Sequence, residues 1–221
     1  MIELGVGVSS AEQDLADLDA EVLVCTQCPL SLTRTKAVPG EGPIDAELLL
    51  IGEGPGYHED VQGRPFIGPA GRLLDELLES IGLRRDQVYI TNVVKCRPPK
   101  NRDPAPNEIA ACASYLERQI PLLNPKLIVT LGRFSMARWF PGQSIMRIHG
   151  QAKRVGDRVI FPMIHPAAAL HRSENEAIIR EDMLKIPALL RELRAEDAPP
   201  ASLPGDAREA EDDAPGQLSM F

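Results

Sequence analysis

No stretch of this 221-residue sequence is both apolar and long enough to cross a membrane. The longest candidates, ELLLIG (47–52) and KLIVTLG (126–132), are strand-sized. The start, MIELGVGVSSAEQDL, lacks the basic residues and extended apolar core of a secretory leader. A cytoplasmic, reducing setting is therefore expected, and four cysteines in such a setting point to metal rather than disulfides. Internal repeats are missing too. Nor is there a lysine between Lys36 and Lys95, which bears on the glycine-rich GEGPGYHED (52–60) after the first apolar run. A phosphate cradle needs backbone N–H groups and a lysine, whereas this loop offers Glu53, Glu59 and Asp60. A dinucleotide fingerprint fails as well, because the third glycine and a helix opening directly on the loop are both lacking.

Charge is unevenly spread. The net charge is −8, yet residues 1–24 hold six acids and no Lys or Arg, and residues 195–221 hold seven acids and one Arg. Each end is thus −6, leaving +4 for residues 25–194. A mildly basic body between acidic ends permits a polyanionic partner.

Four apolar runs rich in β-formers, at 47–52, 87–94, 126–132 and 158–165, alternate with helical patterns at 71–82, 107–123, 133–140 and 174–193. The last helix is expected to bend at Pro187, and residues 10–24 form a further short amphipathic helix. The alternation predicts the α/β class: a four-stranded parallel sheet with helices on both faces and ligands at the carboxyl ends of its strands. One domain is expected over 1–194. The acidic, Pro- and Ala-rich segment 195–221 reads as a disordered tail.

Polar groups gather at the expected strand ends. Glu53, Pro55 and Gly56 follow the first strand, Asn92 sits near the end of the second, and His165 and Pro166 follow the fourth. Singly, each is a capped turn or a satisfied polar side chain; three converging on one sheet edge make a site. The segments GEGPGYHEDVQGRPFIGPAG, YITNVVKCRPPKNR and IHPAAAL, with the four cysteines, closely resemble the family 4 uracil-DNA glycosylases of bacteria and archaea from about Val24 to Leu190. The resemblance implies a three-layer α/β/α sandwich, an iron–sulfur cluster, and hydrolysis of the bond joining uracil to deoxyribose.

Such chemistry assigns roles. Gly54, Pro55 and Gly56 let main chain approach a flat, neutral base. Phe66 can stack on that base, though a core phenylalanine is an equal reading. Asn92 can pair with the uracil amide edge, where cytosine presents the opposite pattern. By resemblance His165 meets the charge developing at uracil O2. Family 1 enzymes place an aspartate where this loop has Gly54, so Glu53 is the candidate to position water, with Asp60 and Glu59 behind it. They place a tyrosine where this loop has Gly56. Glu59 is the family-based candidate to exclude thymine there, and Tyr57 a weaker one.

Cys25 and Cys28 form a C-x2-C pair, with Cys96 and Cys112 far beyond. Four thiolates suit tetrahedral zinc or a [4Fe–4S] cluster, and spacing leaves both open; the resemblance favours the cluster, read as a brace for the loop RPPKNRDPAPNE. Lys95, Arg97, Lys100, Arg102, Arg147, Lys153, Arg154 and Arg172 are the candidate DNA contacts, with Leu170 or a neighbour as a wedge. The chain closes on QLSMF, which resembles the peptide that docks on the bacterial sliding clamp. Gln217 would anchor it while Leu218, Met220 and Phe221 fill a groove. A monomeric glycosylase acting on uracil-containing DNA, single- or double-stranded, is the leading expectation. Its rivals are a non-catalytic iron–sulfur DNA-binding or redox protein on the same fold, and a clamp-tethered adaptor.

Overall fold

The computed structural model describes residues 9–197. Helix α1 (Ser10–Val24) opens on a reciprocal cap: the Ser9 hydroxyl accepts from Glu12 N–H, and the Glu12 carboxylate accepts from Ser9 N–H. Strand β1 (Leu48–Gly52) leads through the glycine loop into the short α2 (Tyr57–Gln62), capped by Gly56, so a helix does open on the loop, contrary to expectation; α3 (Pro69–Ser80) follows, with Pro69 in its first turn. Strand β2 (Tyr89–Asn92), helix α4 (Pro106–Leu123) and strand β3 (Leu127–Leu131) follow. After them come α5 (Arg133–Ala137), α6 (Ile145–Ile148), β4 (Lys153–Val155), β5 (Arg158–Met163), α7 (Ser173–Met183) and α8 (Ile186–Asp197).

The sheet has five strands in the order β2-β1-β3-β5-β4, so the four expected strands are present and a fifth joins them. Strands β2, β1, β3 and β5 are parallel; β4 runs antiparallel to β5 at the edge, paired Lys153 to Ile160 and Val155 to Arg158. The purely parallel, four-stranded expectation is corrected by that hairpin. Its two-residue turn, Gly156–Asp157, starts with a glycine at φ 61°, the left-handed geometry that matches strand twist.

Alternate residues of each strand feed opposite cores, as the period of two requires. Leu48, Leu50, Val129 and Phe161 pack with α3, α7 and α8, whereas Leu49, Ile51, Ile128 and Ile160 pack with α1 and α4. The result is the α/β/α sandwich. The expected single C-terminal helix is two: it breaks at Leu184–Lys185, and Pro187 falls in the first turn of α8. Helix α8 continues to Asp197, past the expected domain boundary at 194. The remainder of the acidic tail, with Gln217, Leu218, Met220 and Phe221, lies outside the described residues.

The order 2-1-3 means that connections leave β1 and β3 toward opposite sides, opening a crevice at their carboxyl ends.

Candidate active site

A cavity of about 550 Å3 occupies that crevice. Glu53 to Glu59, Phe66, Gly68, Asn92, Arg102, His165 and Leu170 contribute to its wall. All eight residues expected to act on the base thus meet in one place: Glu53, Gly54, Pro55, Gly56, Glu59, Phe66, Asn92 and His165.

Asn92 ends β2 and is 1% exposed, and its Oδ1 has no hydrogen-bond partner. A buried acceptor without a partner costs roughly 1–3 kcal/mol, so a ligand donor is what the position calls for. It lies against Gly52, where an added Cβ would sit 2.4 Å from Asn92 Oδ1 and 2.6 Å from the Phe66 ring. Glycine at the end of β1 is what lets amide and aromatic ring share the cavity floor.

Phe66 adopts a left-handed backbone, φ 50°, which is strained for an aromatic residue. Arg85 holds it there, donating to the carbonyls of Phe66 (2.9 Å) and Pro65. The Phe66 ring lies nearly parallel to His165, with centroids 5.5 Å apart and planes at 24°. His165 Nδ1 accepts from Ala167 N–H at 3.1 Å, which places the ring proton on Nε2. Burial lowers the His165 pKa to about 4 against the opposing pull of Glu59. At neutral pH it is an uncharged N–H donor.

Glu59 is 9% exposed, and its Oε1 accepts from Ile67 N–H at 2.9 Å and Gly68 N–H at 2.8 Å. Its other oxygen fills the space beside Gly56, where a Cβ would meet it at 2.8 Å. Tyr57, by contrast, is exposed on the rim, with the Arg97 guanidinium 5.1 Å over its ring. Asp60 is structural: buried, it accepts from Thr35 N–H at 2.8 Å. Glu53 is half-buried with its pKa raised, first by burial and then by Asp103, while Arg133 opposes the shift. That makes Glu53 a better proton acceptor than an ordinary surface carboxylate.

Cys25, Cys28, Cys96 and Cys112 line a second cleft, together with Arg34, Lys95 and Tyr115. Among the described residues, no three His, Cys, Asp or Glu side chains converge closely enough to chelate one metal ion. One tetrahedral zinc with bonds of about 2.3 Å needs the sulfurs drawn together, whereas a four-iron cube takes one thiolate per iron. Arg34 Nη1 donates to Cys96 Sγ at 3.0 Å, and Lys95 N–H to Cys112 Sγ at 3.3 Å, so the sulfurs face donors suited to thiolate charge. Burial pushes the Cys112 thiol up to about 11 and also raises Cys96, against the pull of Lys95 and Arg34 respectively.

The candidate DNA contacts divide. Arg97 covers the rim tyrosine, Arg102 lines the cavity, Lys100 is exposed beside them, and Arg172 is exposed two residues after Leu170. Arg102 is tied to the buried Glu108 by two bonds of 2.8 and 2.7 Å. Lys95 is corrected: at 1% exposed it points inward and meets no solvent. Arg154 is corrected too, because it pairs with Glu196 in a depression at the amino ends of the strands, away from the cavity. Lys153 lies on edge strand β4 against the Phe140 ring, and Arg147 is exposed on α6; neither lines the cavity. Arg85, Arg34 and Arg133 escape sequence reading, since nothing in their local pattern separates them from solvated charges.

Residues 39–188 match the Uracil DNA glycosylase superfamily. The chain is 48% identical over 182 residues to a type-4 uracil-DNA glycosylase of Sulfurisphaera tokodaii, covering 78% of this chain and 83% of that one. It is 44% identical over 185 residues to the type-4 enzyme of Thermotoga maritima, covering 81% and 96%. A type-5 uracil-DNA glycosylase of Thermus thermophilus is 40% identical over 116 residues, covering 46% and 52%.

Proposed function

Because this chain belongs to the uracil DNA glycosylase superfamily, we propose that it is a uracil-DNA glycosylase of the iron–sulfur, family 4 type. It removes uracil from DNA in base excision repair. The observation that carries the reading is the buried, unpartnered Oδ1 of Asn92 in a cavity it shares with Phe66 and His165.

The glycosidic bond cannot be reached inside a duplex, so uracil enters the cavity flipped out of its stack. Phe66 stacks on the base, and Asn92 accepts from N3–H and donates to O4. The Glu59 carboxylate beside Gly56 occupies the space that a thymine methyl would need. The bond from N1 to C1′ breaks with its electron pair leaving on uracil, and neutral His165 donates Nε2–H to the charge spreading onto O2. Glu53 orients water toward the cationic sugar and takes its proton, so the products are an abasic deoxyribose and the uracil anion, which takes up a proton from solvent on release.

Cys25, Cys28, Cys96 and Cys112 would hold a [4Fe–4S] cluster, a redox-capable group whose part here would be to brace the chain between Asn92 and α4. DNA phosphates are met at the cavity mouth by Arg97, Lys100, Arg102 and Arg172. The protein works as a cytoplasmic monomer, and Gln217 with Leu218, Met220 and Phe221 tethers it to the sliding clamp.

Incubating the cluster-loaded protein with a uracil-containing oligonucleotide, then cleaving abasic sites with alkali, tests the activity. Strand scission at uracil and not at thymine or cytosine is expected; an intact strand would overturn the assignment. Deleting residues 217–221 is expected to abolish clamp binding while sparing activity on free oligonucleotides.

A further inference from the structure

Among the described residues Lys95 is the only fully buried lysine or arginine. An ammonium group has three N–H donors, and each finds an acceptor here. Nζ lies 2.6 Å from Thr91 Oγ1, 2.6 Å from Gln119 Oε1 and 3.0 Å from the Asn92 carbonyl. These partners are themselves fixed, because the Thr91 hydroxyl and the Gln119 amide both donate to the Pro39 carbonyl, at 2.6 and 3.0 Å. Burying a charge is costly even with Asp19 and Cys112 close enough to favour it, so a cation retained in this place serves some geometry that a hydrocarbon would not.

The main chain of the same residue is held as firmly. Lys95 N–H donates to Cys112 Sγ at 3.3 Å, and its carbonyl accepts from Val38 N–H at 2.8 Å. Cys96 is the next residue. One amino acid therefore grips the last peptide of β2 with its side chain and the cysteine cleft with its backbone.

We infer that Lys95 is a positioning residue for uracil recognition: it fixes the Asn92–Val93 peptide and thereby the direction in which the Asn92 amide meets the base. This rests on the glycosylase reading above. The amide has little latitude, since it lies where even a methyl on Gly52 would collide with it. Displacements of an ångström in such a group cost about 100-fold in rate.

A double-mutant cycle on single-turnover uracil release separates positioning from general stability. Lys95→Met is expected to lower the rate about 30-fold with Asn92 present and by less than about 3-fold in an Asn92→Ala background. Iron content and the visible absorption of the cluster should stay unchanged. The Ki for free uracil should rise with Lys95→Met in the first background only. Should Lys95→Met not fold, Thr91→Val removes one Nζ partner at equal volume and enters the same cycle, with the same non-additivity expected. Additive losses in an enzyme whose wild type releases uracil would overturn the positioning role alone. A wild type that releases no uracil would overturn the glycosylase reading and this inference with it.

Discussion

In the proposed reaction Asn92 and His165 meet the same base by different means, and their substitutions should read differently. Asn92→Ala removes a buried bidentate amide, so uracil release should fall about 10³-fold and the Ki for free uracil should rise in parallel. His165 is neutral near pH 7, with its pKa lowered to about 4, so the pH–rate profile should show no step near the ordinary histidine value of 6.5. Because the unfolded chain takes up that proton first on acidification, the stability His165 contributes is complete above pH 6.5 and declines toward pH 4. Denaturant midpoints measured between pH 7 and pH 5 check the sign. Glu53→Gln should slow turnover about 10²–10³-fold and abolish the acid limb, which lies above an ordinary glutamate because burial and Asp103 raise its pKa. At this scale the sequence was readable where strand ends bring polar residues together, as with Asn92 and His165 in one cavity. It misled at Lys95, because the polar, proline-rich CRPPKNR that follows it describes a surface cation, although its side chain turns back along the apolar run 87–94 to Thr91 and across to Gln119.

Elements carry their own expectations. Strand β1 ends in Gly52 because β2 ends in Asn92, and Gly52→Ala should cost about 100-fold in activity with a smaller effect on stability, read from rate and Tm together. Four parallel strands and the helices between them follow from apolar runs separated by amphipathic segments. The antiparallel β4 escaped that reading because three half-exposed residues carry no hydrophobic period; only the Gly156–Asp157 turn marked it. The backbone strain at Phe66 was equally hidden, since the Arg85 that holds it lies nineteen residues away in sequence.

For the whole molecule, the relevant fact is where charge sits relative to the cavity. Arg97 covers the rim residue Tyr57, and Arg172 is exposed two residues after the cavity-lining Leu170, so under the proposed function Arg97→Ala and Arg172→Ala should each weaken DNA binding and reduce the slope of log affinity against log salt by about 1. Arg154→Ala, at the amino ends of the strands, should leave that slope unchanged and serves as the control. The acidic α1 packs on α4, on the opposite face of the sheet from α3, and none of its residues lines the cavity. One carboxylate in this architecture answers to two tasks at once. Glu59 crowds the corner beside Gly56 and also clasps the amides of Ile67 and Gly68, immediately after the aromatic floor. Trimming it to admit a bulkier pyrimidine would loosen the very platform on which that pyrimidine must lie, so breadth of substrate and firmness of grip cannot be tuned separately here.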